Sequence, residues 1–198
     1  MSTAFHSAIR TLSSERRQAM HGVCWKEEPG CPAFESLRLI ELGFWDFEGA
    51  CQRGELVVNE RIAEETVAIF ELLFAARFPL QNMQPIEAFG ADDERSMAAN
   101  NCSAFNFRLI AGTNRPSHHG MGMAIDLNPV QNPWLRPGLV QPSAGQAFLD
   151  RSDVRPGMIV EGGVVLDTFR RFGWEWGGLW PDAPDYHHFS KLQRGASL

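Results

Sequence analysis

Two pairs of adjacent histidines, each close to an aspartate, constrain the fold of this chain most strongly. The pair at positions 118–119 precedes Asp126, and the pair at 187–188 follows Asp185. Imidazole and carboxylate groups are common zinc ligands in proteins, and a catalytic zinc site uses three of them and leaves one position open. If both segments supply one site, the fold must bring together residues that are far apart in the sequence.

The spacing within the first segment predicts a bent backbone. His119 and Asp126 lie an odd number of residues apart, so a straight strand would point them to opposite faces, and the two glycines between them disfavour a helix. A loop that folds His119 back over a strand carrying Asp126 would bring both to one metal. His188 would be the third ligand, with Asp185 beside the metal for proton transfer. Spacing alone leaves open which member of each histidine pair binds.

Hydrophobic periodicity and turn residues predict a mixed order of helices and strands. The order shows no regular alternation of strand and helix, which favours an α+β fold with helices packed on a mainly antiparallel sheet. The segment 37–42 fits either a strand or a short helix. Helices are predicted over 13–20, 59–78 and 163–172, strands over 105–110 and 123–128, and loops over 25–32, 112–122 and 129–145.

Length and charge narrow the class of protein. The 198 residues suit one domain over 1–198, with residues 1–35 as an N-terminal arm of helix and loop. The net charge of −6 and the lack of a basic run argue against a nucleic-acid partner. No apolar run approaches the roughly 20 residues of a membrane span. The N-terminus lacks the apolar core of a signal peptide, so a cytoplasmic location is expected.

The two histidine segments together resemble the motifs of the zinc D-Ala-D-Ala carboxypeptidase family. Its relatives include the vancomycin-resistance dipeptidases and carboxypeptidases and the phage L-alanyl-D-glutamate endolysins. The family pattern is S-x-H-x-x-G-x-A-x-D, followed much later by E/D-x-x-H. Further blocks, such as the tryptophan- and glycine-rich segment 174–180, extend the resemblance over nearly the whole chain. The first pattern is filled by Ser117, His119, Gly122, Ala124 and Asp126, and the second by Asp185 and His188.

The resemblance implies a role for each member of the site. His119, Asp126 and His188 would hold Zn²⁺, and Asp185 would be the general base for water activated at the zinc. It also implies the fold of the D-Ala-D-Ala peptidases and the hedgehog signalling domain. The expected enzyme is a monomer that cuts peptidoglycan stem peptides, as a D,D-carboxypeptidase or as an L-Ala-D-Glu endopeptidase. Without an export signal it would reach the cell wall by another route.

The family also uses an arginine to stabilise the carbonyl oxygen as it becomes negative. Alternation along 105–110 places Arg108 on the same strand face as Asn106, just before the metal loop. We therefore assign this role to Arg108, with Arg95 as the alternative. Each arginine could instead be the partner in a surface ion pair.

The chain departs from its relatives at Phe107, where they often carry a cysteine. This departure puts in doubt any sulfur pairing of Cys31 or Cys102. The four cysteines form no CxxC motif, and we expect free thiols.

Two other interpretations stay open at this point. One is a non-catalytic binding module that keeps the fold and the zinc, as the hedgehog domain shows is feasible. The other is a remnant that binds no zinc. Asp185 favours the enzyme, because a pure binding module needs no general base.

Overall fold

The computed structural model describes residues 4–110 and 112–192, and shows two three-stranded antiparallel sheets, two further two-stranded sheets, and helices packed against them. The helices are α1 (Ser14–Met20), α2 (Glu60–Ala75), α3 (Asp93–Ala98) and α4 (Val164–Arg171). The strands are β1 (Ser7–Thr11), β2 (Leu37–Trp45), β3 (Cys51–Asn59), β4 (Asn82–Met83), β5 (Asn101–Cys102), β6 (Ala124–Asp126), β7 (Trp134–Arg136), β8 (Leu139–Gln141), β9 (Glu175–Trp176) and β10 (His188–Ser190).

The first sheet is an antiparallel meander of β1, β2 and β3 in that order. β2 and β3 form a long hairpin whose register begins with Leu37 opposite Asn59. Its turn is held by Asp46, whose side chain accepts two backbone N–H groups within the turn. Of the two alternatives for 37–42, the strand is the one that forms, because both of its neighbours in the sheet supply backbone partners.

Helix α2 packs one apolar face on this sheet. Its N-cap is Asn59, whose side-chain oxygen accepts the N–H of Arg61 at 3.1 Å. The helix predicted over 59–78 is confirmed, although it ends at Ala75, and the chain turns away at Arg77 with a φ of 53°. The large side chains that this helix buries are Ile62, Ile69, Phe70, Leu73 and Phe74.

The two shorter helices that the sequence predicts are also confirmed. The helix over 13–20 forms as α1, and its N-cap Ser13 accepts the N–H of Arg16 at 3.2 Å. The helix over 163–172 forms as α4 and is followed by Gly173, which has a φ of 75°.

The second sheet has β10 at its centre, between β6 and β9, and it carries two of the metal-ligand candidates, Asp126 and His188. Antiparallel pairing places His188 directly opposite Asp126. The strand predicted over 123–128 is confirmed as β6, with both faces buried. The next residue of β10, Phe189, stacks on Phe169 of α4 with ring centroids 3.9 Å apart. This stacking anchors the second sheet in the core that it shares with β2, β3 and α2.

The strand predicted over 105–110 is wrong. Leu109, on its apolar face, is 40% exposed, whereas Asn106, on its polar face, is 6% exposed. The segment is extended but crosses between elements, so its N–H groups find separate partners instead of one neighbouring strand. Successive N–H groups donate to three different places: Phe105 to Val57, Asn106 to His119 and Phe107 to Cys24.

The predicted loop over 129–145 is also wrong in part, because it contains the hairpin of β7 and β8. Its prolines flank the strands: Pro133 comes just before β7, Pro137 lies in the turn, and Pro142 follows β8. At none of these positions must the residue donate a backbone N–H to the neighbouring strand, so proline, which has no such N–H, is compatible with the hairpin.

The α+β arrangement with antiparallel sheets is confirmed, although four small sheets of the described residues replace the one expected, and one of them, β4 with β5, is parallel. β1 lies in the predicted arm over 1–35 and is a strand that the sequence did not predict. Residues 1–3 of that arm lie outside the described residues. The likeness to the hedgehog domain and the single domain over 1–198 stay predictions. Among the described helices, none combines the length and apolar character needed to cross a membrane.

Candidate metal centre

Three side chains from the two histidine segments meet in a small triangle. Nε2 of His119 lies 3.1 Å from Oδ1 of Asp126 and 3.1 Å from Nδ1 of His188. The same Nδ1 of His188 lies 3.0 Å from Oδ1 of Asp126. All three residues are buried, and they form the group in the described residues whose ligand atoms lie close enough to share a metal ion.

The triangle fits a zinc ion in size. Two atoms bound to one tetrahedral zinc at 2.0–2.1 Å lie about 3.3 Å apart, slightly more than the distances seen here. The donor set of two imidazoles and one carboxylate also suits zinc.

Hydrogen bonding around His119 supports the same assignment. Its Nδ1–H donates to the carbonyl of Ala104 at 2.6 Å, so in the neutral ring Nε2 carries a lone pair. That lone pair faces the Asp126 carboxylate and has no proton to share with it. A metal cation between the two groups satisfies both, and an outer hydrogen bond of this kind orients histidine ligands of metals.

The loop before β6 positions His119 through its backbone. Ser117 starts a tight turn, since its hydroxyl accepts the N–H of Gly120 at 2.9 Å. Gly122 then takes a left-handed φ of 68° and donates its N–H to the carbonyl of His119 at 3.0 Å. The carbonyl of Gly122 accepts the N–H of Asn59 at 2.9 Å. The glycine loop that the sequence predicts therefore brings His119 over β6, and it is tied to the N-cap of α2.

Asp185 lies next to the triangle and outside it. Its Oδ1 is 3.0 Å from Nε2 of His187, but the contact lacks hydrogen-bond alignment, and this oxygen has no hydrogen-bond partner among the described residues. His187 is itself held by its Nδ1–H, which donates to the carbonyl of Asn132 at 2.8 Å. His187 is therefore a buried neighbour of Asp185, while its sequence neighbour His188 belongs to the triangle.

The two aspartates differ in their electrostatic surroundings. Burial opposes a charge on Asp126, but attraction from His119 and His187 outweighs it and holds the pKa of Asp126 well below its usual range. Burial also opposes a charge on His119, yet the carboxylate of Asp126 raises its pKa. Burial raises the pKa of Asp185. The pKa of His118 falls to about 4 because burial and repulsion from the neighbouring histidines disfavour its charge. Asp126 is thus suited to binding a cation as a carboxylate, and Asp185 is suited to holding a proton.

A cavity of about 560 Å³ opens onto the triangle. Arg108 lines this cavity and pairs with Asp93, with Nη1 3.1 Å from Oδ2. Arg95, the alternative arginine, is exposed near the end of the short helix α3 and is not among the cavity-lining residues. Geometry therefore favours Arg108 over Arg95, although the alternation that suggested Arg108 does not exist.

The cavity also includes one tryptophan of the segment 174–180, together with side chains that sequence reasoning did not assign to it. Trp180 lines it and lies 5.2 Å from His188 between ring centroids, while Trp174 and Trp176 lie in the core. Asp93 could have been noticed only through the acidic start of α3, a helix too short for a periodic signal. The remaining unpredicted members are Glu94, Ser96, Met97, Ser103, Leu109 and Ile110, and, from the β7–β8 hairpin, Trp134 and Gln141.

Comparison with known proteins agrees with this geometry. Residues 111–191, less than half of the chain, match the family described as D-alanyl-D-alanine carboxypeptidase. The match shows that this segment is similar to a peptidase family, and it confirms the resemblance to the zinc D-Ala-D-Ala carboxypeptidases. It includes all three members of the triangle and Asp185, whereas Arg108 lies outside it. No curated protein and no solved structure matches the chain.

Proposed function

We propose that this chain is a zinc peptidase that cleaves D-residue-containing stem peptides of bacterial peptidoglycan. The observation that carries the proposal is the triangle of His119, Asp126 and His188 within a segment that matches a carboxypeptidase family. In this proposal the three side chains hold Zn²⁺. When bound, the zinc supplies a Lewis acid that polarises a carbonyl and activates water.

The side chains around the triangle have complementary roles in this proposal. Asp185 accepts a proton from the attacking water and later delivers it to the leaving amine. Its position supports the role, because it is close to the triangle, lines the cavity and has one oxygen without a hydrogen-bond partner among the described residues. Arg108, on the same cavity, donates hydrogen bonds to the carbonyl oxygen as negative charge develops there.

The cavity is consistent with a peptide of several residues. Its volume of about 560 Å³ lies in the range of pockets that enclose drug-sized ligands, roughly 300–1,000 Å³. We include both the D-Ala–D-Ala and the L-Ala–D-Glu bond in the proposal, and a single monomeric domain over 1–198.

The test combines zinc content with cleavage of a synthetic stem pentapeptide that contains both bonds. Wild-type protein should carry one zinc per chain, and mass spectrometry should detect one cleaved bond. His119→Ala and His188→Ala should lose zinc. The control His6→Ala, at a histidine that pairs with Glu41 of β2 outside the cavity, should keep both zinc and activity. Asp185→Asn should keep zinc and lose activity by about 10²–10⁴-fold.

The outcomes separate the peptidase from its alternatives. Full activity of the Asp185→Asn variant would remove the general base from the mechanism. Stoichiometric zinc without any cleaved product would favour a binding module of the same fold. A purified protein that takes up no zinc would contradict the proposal altogether.

A further inference from the structure

Asp93, the first residue of α3, pairs with Arg108. Among the described residues, Arg108 is the arginine that lines the cavity. Oδ2 of Asp93 lies 3.1 Å from Nη1 of Arg108, and Oδ1 accepts from the same nitrogen at 3.5 Å. Both residues line the cavity that opens onto the metal triangle. The contact therefore lies at the site, although the two residues come from different segments of the chain.

Asp93 is itself held in place by a buried amide. The side-chain N–H₂ of Asn106 donates to Oδ1 of Asp93 at 2.8 Å and to the carbonyl of Ala91 at 3.3 Å. The backbone N–H of the same Asn106 donates to the carbonyl of His119 at 3.2 Å. Asn106 is 6% exposed, so this link has little freedom to move. It fixes the carboxylate of Asp93 relative to a residue of the metal triangle.

Arg108 needs such a partner, because its own surroundings do not fix it. Its side chain is 42% exposed, and it lies in the segment 105–110, which belongs to no sheet. A long, half-exposed side chain samples many rotamers, and ordering it for catalysis costs conformational entropy. A carboxylate bound at one nitrogen leaves other guanidinium N–H groups free to face the cavity.

We propose that Asp93 is a positioning residue that orients Arg108 toward the scissile carbonyl. The proposal rests on the proposed peptidase function and adds a residue that lies outside the matched segment and outside both histidine motifs. An exposed ion pair usually adds little to stability. The ion pair itself should therefore contribute to catalysis more than to folding, and the stability lost in Asp93→Ala should come from the hydrogen bond of Asn106.

The experiment compares Asp93→Ala with Asp92→Ala on the stem pentapeptide. The control substitution Asp92→Ala removes the same charge from the same end of α3. Asp92, however, caps the helix: its side chain accepts the N–H of Arg95 at 3.0 Å. Asp92→Ala should lower the melting temperature and leave kcat unchanged. Asp93→Ala should keep its zinc and its KM. Its kcat should fall about tenfold or more, which is the loss typical when a hydrogen-bond partner that orients a functional side chain is removed.

A double-mutant cycle tests whether the effect passes through Arg108. The variant Arg108→Ala should lose about 10²–10³-fold in kcat, and adding Asp93→Ala should cause no further loss. Independent, multiplicative losses would overturn the positioning role, as would equal kcat values for Asp93→Ala and Asp92→Ala in a protein that cleaves the peptide. A wild-type protein that binds zinc without cleaving would overturn both this inference and the proposed function.

Discussion

Substitution of Gly122 by alanine tests the link between the first sheet and the metal loop. This glycine has a φ of 68°, and an added Cβ would lie 2.7 Å from the backbone nitrogen of Asn59 and 3.3 Å from Cδ2 of Leu37. The contact with Asn59 cannot be relieved by moving a side-chain end, since that atom belongs to the backbone. The same nitrogen donates to the carbonyl of Gly122 at 2.9 Å, so the new Cβ must push the two segments apart where they are bonded.

The expected cost has two parts. A left-handed conformation costs an L-residue about 1–2 kcal/mol relative to glycine. Overpacking against backbone costs about 1–3 kcal/mol more. The sum is about 2–5 kcal/mol, a large fraction of the 5–15 kcal/mol that typically stabilises a domain. For a protein of this size, each kcal/mol lowers the melting temperature by about 2–4 °C.

Thermal or urea denaturation of Gly122→Ala measures this cost, and Gly49→Ala is the matched control. Gly49 lies in the β2–β3 turn with a φ of 78°, and an added Cβ there would meet nothing within 4 Å. The control should therefore show only the conformational part, about 1–2 kcal/mol. Gly122→Ala should also weaken zinc binding, because the same loop carries His119. Equal destabilisation of the two variants would refute the close approach of the loop to Asn59.

Other expected outcomes concern thiols, metal and core. Burial raises the pKa of Cys102 to about 12, so this thiol stays protonated and unreactive at neutral pH. The exposed Cys51 should therefore react first with a thiol reagent. Rapid modification of Cys102 in the native protein would contradict its burial. Zinc at about a hundred times its dissociation constant should raise the free energy of unfolding by about 2.7 kcal/mol, and a chelator or His119→Ala should abolish the gain. Phe70→Ala, at a side chain 1% exposed, should cost about 3–5 kcal/mol in urea denaturation, while Val154→Ala, 58% exposed, should change little.

Local chemistry made several parts of this protein predictable from its sequence. The caps at Ser13 and Asn59 depend on side chains that bond to backbone N–H groups two or three residues away. The glycine loop before β6 contains a turn that the Ser117 hydroxyl and the Gly120 N–H close locally, and a left-handed conformation that Gly122 permits. The triangle itself was predicted by the resemblance, which selected His119 and His188 from two pairs that spacing alone could not separate.

What the sequence did not predict depends on partners far along the chain. The alternation of apolar and polar residues in 105–110 is typical of a strand, but the backbone N–H groups of this segment donate to three separate segments. A local sequence pattern cannot predict such distant hydrogen-bond partners. Asp93 contacts Arg108, and accepts a hydrogen bond from Asn106, across a fold that brings α3 against the segment 105–110.

The sequence by itself therefore determined the chemical character of the site, through two histidine segments with their aspartates, and the helices whose caps and apolar stripes are local. Only the tertiary structure decided which side chains face the cavity and which arginine lies there. The physical reason is that caps and turns are satisfied by neighbours in sequence, whereas a cavity is built where distant segments pack against each other.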